Sequence, residues 1–333
     1  MSSINRRNAL GAGAALLAPP WSAQAQSPAQ PWPTTKPVKI VVAFAPGGSL
    51  DALARRIGKH VEASFGGSVV VENLSGAGGR IGTQAVARAP GDGYTLITTS
   101  SAAHGVAPGL YPKAELGYEP MGQFTHIGLI TSGPMALIVK ADAPYKNLGQ
   151  LVEYVKAKDQ PMFYGSGGIG SLGHLTGALV GQKLAMPVQH VSYRGSAPAL
   201  QDLLAGNVMA VCDNLSSHMA QFRAGNIRLL GVASATRFPT LPEVPTFIEQ
   251  GYPDVVANAW YGLSGSGGIP PEIAGRLNTA LGELMRQDEM RRFVLDMAMK
   301  PEGQMSVAEY TRFVGSEIGK WSQVIKAANI TVS

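Results

Sequence analysis

Glycines followed by a hydroxyl residue recur in this chain where an apolar run hands over to a helical one, and the chemistry open to such a turn is anion binding. The first is Pro46-Gly47-Gly48-Ser49, after the apolar run 38–44 and before a helical run from Asp51. The second is Gly165-Ser166-Gly167-Gly168-Ile169-Gly170-Ser171, and the third is Arg194-Gly195-Ser196. A helix opened by such a turn has first N–H groups with no intrahelical acceptor. The positive end of its dipole adds attraction for a carboxylate or phosphate. Three junctions of this kind predict a site for a small anion.

Other chemistries are weighed against the same residues. Gly165-x-Gly167-x-x-Gly170 matches the dinucleotide fingerprint letter for letter, but that fingerprint needs an acidic residue about 20 positions on to hold the ribose. Residues 186–200 contain no Asp or Glu, so a small-anion loop and a turn required only for backbone geometry are what remain. Gly47-Gly48-Ser49 lacks the lysine and spacing of a P-loop. Ser49 can also act there as an N-cap, with Asp51 stabilising the positive helix end. No Ser has Gly at both minus two and plus two, and no His-Glu-x-x-His or Cys pair offers a metal site. His104 and His174 fall in or just after loops at strand ends, where a lone His serves more often as a donor or packing residue than as a base. Asp213, at a strand end, either caps the next helix or accepts from a ligand hydroxyl or ammonium group.

The elements that position these residues belong to an ordinary globular chain of 333 residues, 45% hydrophobic and 15% charged, long enough for two cores. Residues 1–25 combine Arg6-Arg7, a short apolar run at 9–18 and Ala23-Gln24-Ala25, the pattern of a cleaved export signal, with a twin-arginine character in Arg6-Arg7-Asn8-Ala9-Leu10. The apolar run is too short to span a membrane. Removing Arg6 and Arg7 from the formal +5 leaves +3, with no basic run or aromatic platform for nucleic acid. Cys212 is the one cysteine, so no intramolecular disulfide forms; it is read as a small buried strand residue.

Residues 26–36, with Pro28, Pro31 and Pro33, predict an extended leader, and the fold is expected to start at Pro37. Apolar, β-branched runs at 38–44, 69–72, 95–99, 136–139, 162–164, 188–193, 208–212 and 229–233 predict strands. Helical patterns alternate with them at 51–63, 83–87, 148–157, 172–183, 197–205 and 215–224. That alternation gives an α/β class with a mainly parallel sheet. The last third predicts helices at 271–286, 289–297 and 307–327, with no strong strand after Gly262. Such helices must pack on an earlier core, and the first is the natural host. The chain is therefore expected to form a discontinuous lobe 1 (37–137 plus 259–333) and an inserted lobe 2 (138–258), joined by a two-segment hinge.

Taken in order, Ala45-Pro-Gly-Gly-Ser-Leu-Asp51, Val71-Glu-Asn73, Gly76-Ala-Gly-Gly79, Asp92-Gly-Tyr94, the 165–171 loop, Tyr193-Arg-Gly-Ser196, Asp213-Asn214, Leu241-Pro-Glu-Val-Pro-Thr246 and Trp260-Tyr-Gly262 resemble the Bug-type periplasmic solute-binding proteins of the tripartite tricarboxylate transporter system. The match runs from about Pro37 to the C-terminus. The resemblance implies a type II periplasmic binding protein fold with a small carboxylate held between two α/β lobes, no catalysis, no cofactor and no metal. It implies that Phe44, Ala45, Pro46, Gly47, Gly48 and Ser49 meet the carboxylate. Ser166, Gly168, Ile169, Gly170 and Ser171, with His174, Tyr193, Gly195 and Ser196, meet its other end. Asp213 takes the place of the family aspartate, and Ser100, Ser101 and His104 lie on a third cleft-lining loop. The partners implied are a small carboxylate (di- or tricarboxylate, amino acid or aromatic acid) and the membrane translocator subunits. Two departures stand out: Ala45 replaces the usual Pro, and Ser192-Tyr193-Arg194 replaces the commoner Pro-Tyr-Lys, which either only preserves a charge on the cleft rim or places a forked donor there. Two other functions compete, a carboxylate sensor feeding a signalling partner and an α/β enzyme using Asp213 with His174 as an acid–base pair.

Overall fold

A computed structural model describes residues 32–44 and 46–332 of the chain. The expected signal segment, the leader through residue 31, Ala45 and the side chain of Ser49 lie outside the described residues. The first elements are β1 (Val38–Val42), α1 (Ser49–Phe65), β2 (Val69–Asn73), α2 (Arg80–Ala87), β3 (Thr95–Ser100), α3 (Ala107–Leu110) and α4 (Lys113–Leu116). The long β4 (Phe124–Lys140) follows, then α5 (Leu148–Lys158), β5 (Met162–Ser166), α6 (Leu172–Lys183), β6 (Val188–Ser192), α7 (Ser196–Ala205), β7 (Ala210–Asn214), α8 (Met219–Arg223) and β8 (Ile227–Val232). The chain ends with β9 (Asn258–Ser266), α9 (Pro271–Arg286), α10 (Asp288–Asp296), the short β10 (Lys300–Pro301) and α11 (Val307–Ala327).

Strands are ordered β2-β1-β3-β9-β4-β7-β5-β6, with β8 and β10 also paired to β4. β1 pairs in parallel with β2 and β3, and β5 pairs in parallel with β6 and β7. β4 is the common strand. Its first part runs antiparallel to β9 as far as Pro134 opposite Asn258, and from Met135 opposite Asn214 it is antiparallel to β7 and β8. The change of partner falls at Pro134, whose missing N–H suits a point where one ladder stops and another starts.

Each parallel trio carries its own core. Val38, Ile40 and Val42 of β1 are buried with Leu53 and Ile57 of α1 and with Leu277, Leu281, Met290 and Val294 of α9 and α10. Met162 and Tyr164 of β5 are buried with Leu172, Leu175 and Leu179 of α6. Cys212 is a free, buried strand residue.

Four expectations need correction. The sheet is mixed rather than mainly parallel, because β4 and β9 pair antiparallel with every neighbour they have. Strand structure continues past Gly262, since β9 runs to Ser266 and β10 adds a further pairing; the run 124–134 is also strand. Polar and glycine residues hid both, and each is explained by its partner. His126 Nδ1 lies 2.9 Å from Ser264 Oγ, Thr131 Oγ1 donates to the Lys300 carbonyl at 2.8 Å, and a Cβ on Gly262 would lie 1.9 Å from the Tyr310 hydroxyl. The packed structure also begins before Pro37, because Trp32 is buried with its ring 5.6 Å from that of Phe65. Finally, α11 does not stay on the first core. Tyr310 and Val314 pack with Trp260 and Leu129, whereas Trp321, Val324 and Ile325 are buried in the cluster of α5 and α6. A helix of 21 residues is about 31 Å long, enough to reach both.

The turn between β1 and α1 is held by one buried carboxylate. Asp51 Oδ2 accepts the Gly47 N–H at 3.0 Å and Arg55 Nε at 3.0 Å, and Oδ1 accepts from Asn73 Nδ2 at 3.1 Å. Asn73 Nδ2 also donates to the Phe44 carbonyl at 3.1 Å, so the end of β2 fastens the turn after β1. The Arg55 hydrogen bond, then the Gly47 N–H, pull the Asp51 carboxyl from its ordinary 3.8 down to about 2.

Two stability predictions follow from these contacts. Asp51→Asn should cost about 1–2 kcal/mol at pH 7, reduced from the full charged-bond value because Arg55 is half exposed. Since the folded group titrates below its unfolded value, that difference is complete above 3.8 and should vanish as the pH falls through about 2 in urea unfolding. Gly173→Ala would bring a Cβ to 2.2 Å from the Cys212 carbonyl oxygen, whereas Gly275 on α9 has nothing within 4 Å. The first should destabilise by about 1–3 kcal/mol and Gly275→Ala should stabilise by about 0.5–1 kcal/mol in the same assay.

Candidate functional site

Parallel pairing puts the carboxyl ends of β2, β1 and β3 on one edge, so the turns that follow them must meet there. They do. A Cβ on Gly79 would lie 3.3 Å from Phe44 Cζ and 3.5 Å from the Ala103 Cβ, which joins the turn after β1, the 76–79 turn and the segment after β3. Gly47 has φ +84°, a left-handed conformation that a side chain there would strain. Pro46, Gly47 and Gly48 are exposed, and Phe44 is half-buried.

The segment after β3 lies deeper than a surface loop. Ser100, Ser101 and His104 are all buried. Ser100 Oγ accepts the Ala103 N–H at 3.3 Å, and residues 101–106 form a wide helical turn. The His104 ring lies 5.3 Å from Phe124 and 6.2 Å from Tyr118, with no hydrogen-bond partner at Nε2, and burial holds its pKa near about 3. It is a neutral packing ring.

The second group forms the same way on the edge shared by the ends of β5, β6 and β7. Tyr193 N–H donates to the Ser166 carbonyl at 3.1 Å, and a Cβ on Gly167 would lie 3.6 Å from Gly195 Cα and 3.8 Å from the Ser196 N. The predicted junctions at 166–171 and 195–196 are therefore adjacent. Gly195 precedes α7, whose first residue is Ser196. Ser171 caps α6, its Oγ accepting the His174 N–H at 3.2 Å. Tyr193 gives its hydroxyl to Asp202 at 2.6 Å. Ile169 is 58% exposed at the tip of its turn, and Arg194 is exposed in the turn before α7.

The second group packs against the segment that follows β3. A Cβ on Gly170 would lie 2.8 Å from Leu110 Cδ1, at the end of α3, and 3.3 Å from Val332 Cγ1. Leu110 and Val332 carried no chemical signal in the sequence.

Asp213 and His174 do not form the pair that an acid–base enzyme would use. Asp213 Oδ2 lies 3.1 Å from His218 Nε2 and Oδ1 accepts the Asn214 N–H at 2.7 Å. His174 Nδ1 instead accepts the Gly170 N–H at 3.1 Å, and its ring stacks on His190 with centroids 3.8 Å apart. His190 and Asn73 are the polar residues of these turns that sequence reasoning missed. The available signal was position: each lies in or at the end of a strand just ahead of a turn rich in glycine or serine.

The family model for tripartite tricarboxylate transporter family receptors, TctC, matches residues 53–330. The protein BugT of Bordetella pertussis is 32% identical over 292 residues, covering 87% of this chain and 89% of its own. An R. palustris protein solved with adipate is 34% identical, with a TM-score of 0.75 over 90% of this chain and 99% of its own. MatC from Rhodopseudomonas palustris, solved with bound malate, is 32% identical, with a TM-score of 0.71 over 87% of this chain and 99% of its own. With the family model matched over most of its length and relatives of this identity, the chain belongs to the TctC family of tripartite tricarboxylate transporter receptors.

Proposed function

We propose that this protein is an exported solute-binding receptor that captures a small carboxylate between two lobes and hands it to the membrane subunits of a tripartite transporter. The observation that carries this reading is the gathering of glycine turns at two strand-end edges that meet at Leu110 and Gly170. Adipate and malate, the molecules present with the two R. palustris relatives, are both dicarboxylates and make that class the first to test here.

In this reading Pro46, Gly47, Gly48 and Ser49 meet one carboxylate, and residues 166–171 with Gly195 and Ser196 meet the other end. The lobes are 37–137 with 259–333, and 138–258. They turn about β4 at Pro134–Met135 and the start of β9, where the ladder changes partners. Only the closed arrangement satisfies both sets of donors, so binding shifts the open–closed equilibrium. Arg194, exposed next to Gly195, supplies a forked donor for the second carboxylate. Among the described residues no helix is long and apolar enough to cross a membrane, which fits a protein delivered by a cleaved signal.

Melting the mature chain with succinate, malate, adipate, citrate, glutamate and benzoate tests the reading. At one hundred times Kd a bound carboxylate adds about 2.7 kcal/mol, a rise of about 4 °C for a chain of this size. A cooperative transition that none of the six displaces contradicts it. Arg194→Ala should weaken the best dicarboxylate about tenfold and a monocarboxylate little. N-terminal sequencing of exported protein should start at Gln26.

A further inference from the structure

We propose that His190 and His174 are positioning residues for the second glycine turn: a stacked pair that fastens its two ends, Ser166 through His190 and Gly170 through His174, and so aims the amide between the fastened glycines, that of Ile169, at the bound anion. The inference rests on the reading of residues 166–171 as part of the carboxylate site.

The turn needs such a clamp because its own backbone does not fix it. Gly168 and Gly170 have φ of +139° and +72°, conformations that neither a helix nor a strand ladder imposes. What holds it is side chains. His190 Nε2 lies 2.8 Å from Ser166 Oγ, and that oxygen accepts the Gly168 N–H at 3.3 Å and lies 3.1 Å from Ser171 Oγ. Ser166 is fully buried, so this hydroxyl faces the clamp rather than solvent. At the other end Gly170 donates its N–H to His174 Nδ1, which requires that nitrogen to carry no proton. The rings are 12° from parallel with centroids 3.8 Å apart, and Tyr164 fixes their base by donating its hydroxyl to the His174 carbonyl at 2.8 Å.

Charge on His174, or on both rings together, undoes this. Two imidazolium ions at stacking distance repel, and a protonated His174 Nδ1 can no longer accept from Gly170. The titratable groups packed against His190 are Tyr164 from β5, with rings 5.2 Å apart, and His174 from α6. Lys183, at the far end of α6, is paired with Asp254 at 2.8 Å, and β6 is the edge strand, so no other strand brings a charge. Burial, then the neighbouring His174, push the His190 pKa down to about 4, and burial lowers that of His174. The folded state thus favours neutral rings. Their contribution is complete above the ordinary 6.5 and declines as the pH falls toward 4.

The test combines amide exchange with binding. His190→Phe keeps a flat ring for the stack and removes the nitrogen that reaches Ser166; His190→Gln returns a polar group. Exchange at Gly168 and Gly170 is followed by NMR, and binding of succinate, malate and adipate by calorimetry. His190→Phe should speed exchange at both amides and weaken dicarboxylate binding, each about tenfold. His190→Gln should recover most of both. In the wild type, exchange at Gly170, corrected for its intrinsic rate, should accelerate between pH 6.5 and 4, a change that loss of packing alone does not produce. Equal exchange and affinity in wild type and His190→Phe overturn the clamp, as does a flat pH profile in the wild type if the variants fail to fold. Wild-type protein that binds none of the three dicarboxylates overturns the carboxylate reading itself, whatever the variants do.

Discussion

A backbone that binds an anion with neutral N–H groups has to hold those groups in place before the anion arrives. In such a site whatever aims the amides must be built in. Both glycine turns are held by side chains from outside the turn. Asp51 and Asn73 hold the first, and His174 and His190 hold the second. The two devices differ in charge. A carboxylate anchored by Arg55 keeps its charge well into acid, while a stacked pair of rings works only when uncharged.

That constraint explains the sheet. Parallel strands deliver every following turn to one edge, and the two parallel trios, β2-β1-β3 and β6-β5-β7, each deliver three. Antiparallel β4 and β9 then serve as the shared spine, with the change of partner at Pro134 separating the ladders. α11 adds a tie. Its first half is buried with Trp260, and Glu317 accepts from the indoles of both Trp260 and Trp321 at 3.0 and 3.1 Å, while its last turns reach the α6 cluster. A closing motion of the two parts must therefore bend or slide at α11 as well as at β4.

Much of this was legible because it follows from local patterns. The three glycine junctions, the α/β alternation and the bounds of α6 and α11 are visible in apolar periodicity and in caps such as Ser306 with Glu309. What was not legible depends on partners distant in the chain. β9 looks like a glycine and serine loop until His126 and Tyr310 are placed beside it. His104 reads as a cleft residue from its position after β3, yet Tyr118 and Phe124 enclose it. His190 carries no motif, and its role appears only when the parallel register sets β6 beside β5.

The central claim is that two sets of backbone amides share one anion. A crystal structure with the dicarboxylate that most raises the melting temperature tests it most directly. The account predicts one carboxylate within about 3 Å of the amides of Gly48 and Ser49 and the other end within the same distance of those of Ile169, Gly195 and Ser196, the N–H groups of Gly47, Gly168 and Gly170 being taken by Asp51, Ser166 and His174. A dicarboxylate bound instead by the side chains of Arg55, Arg56 and Lys59, in the groove between α1 and α10, would contradict it.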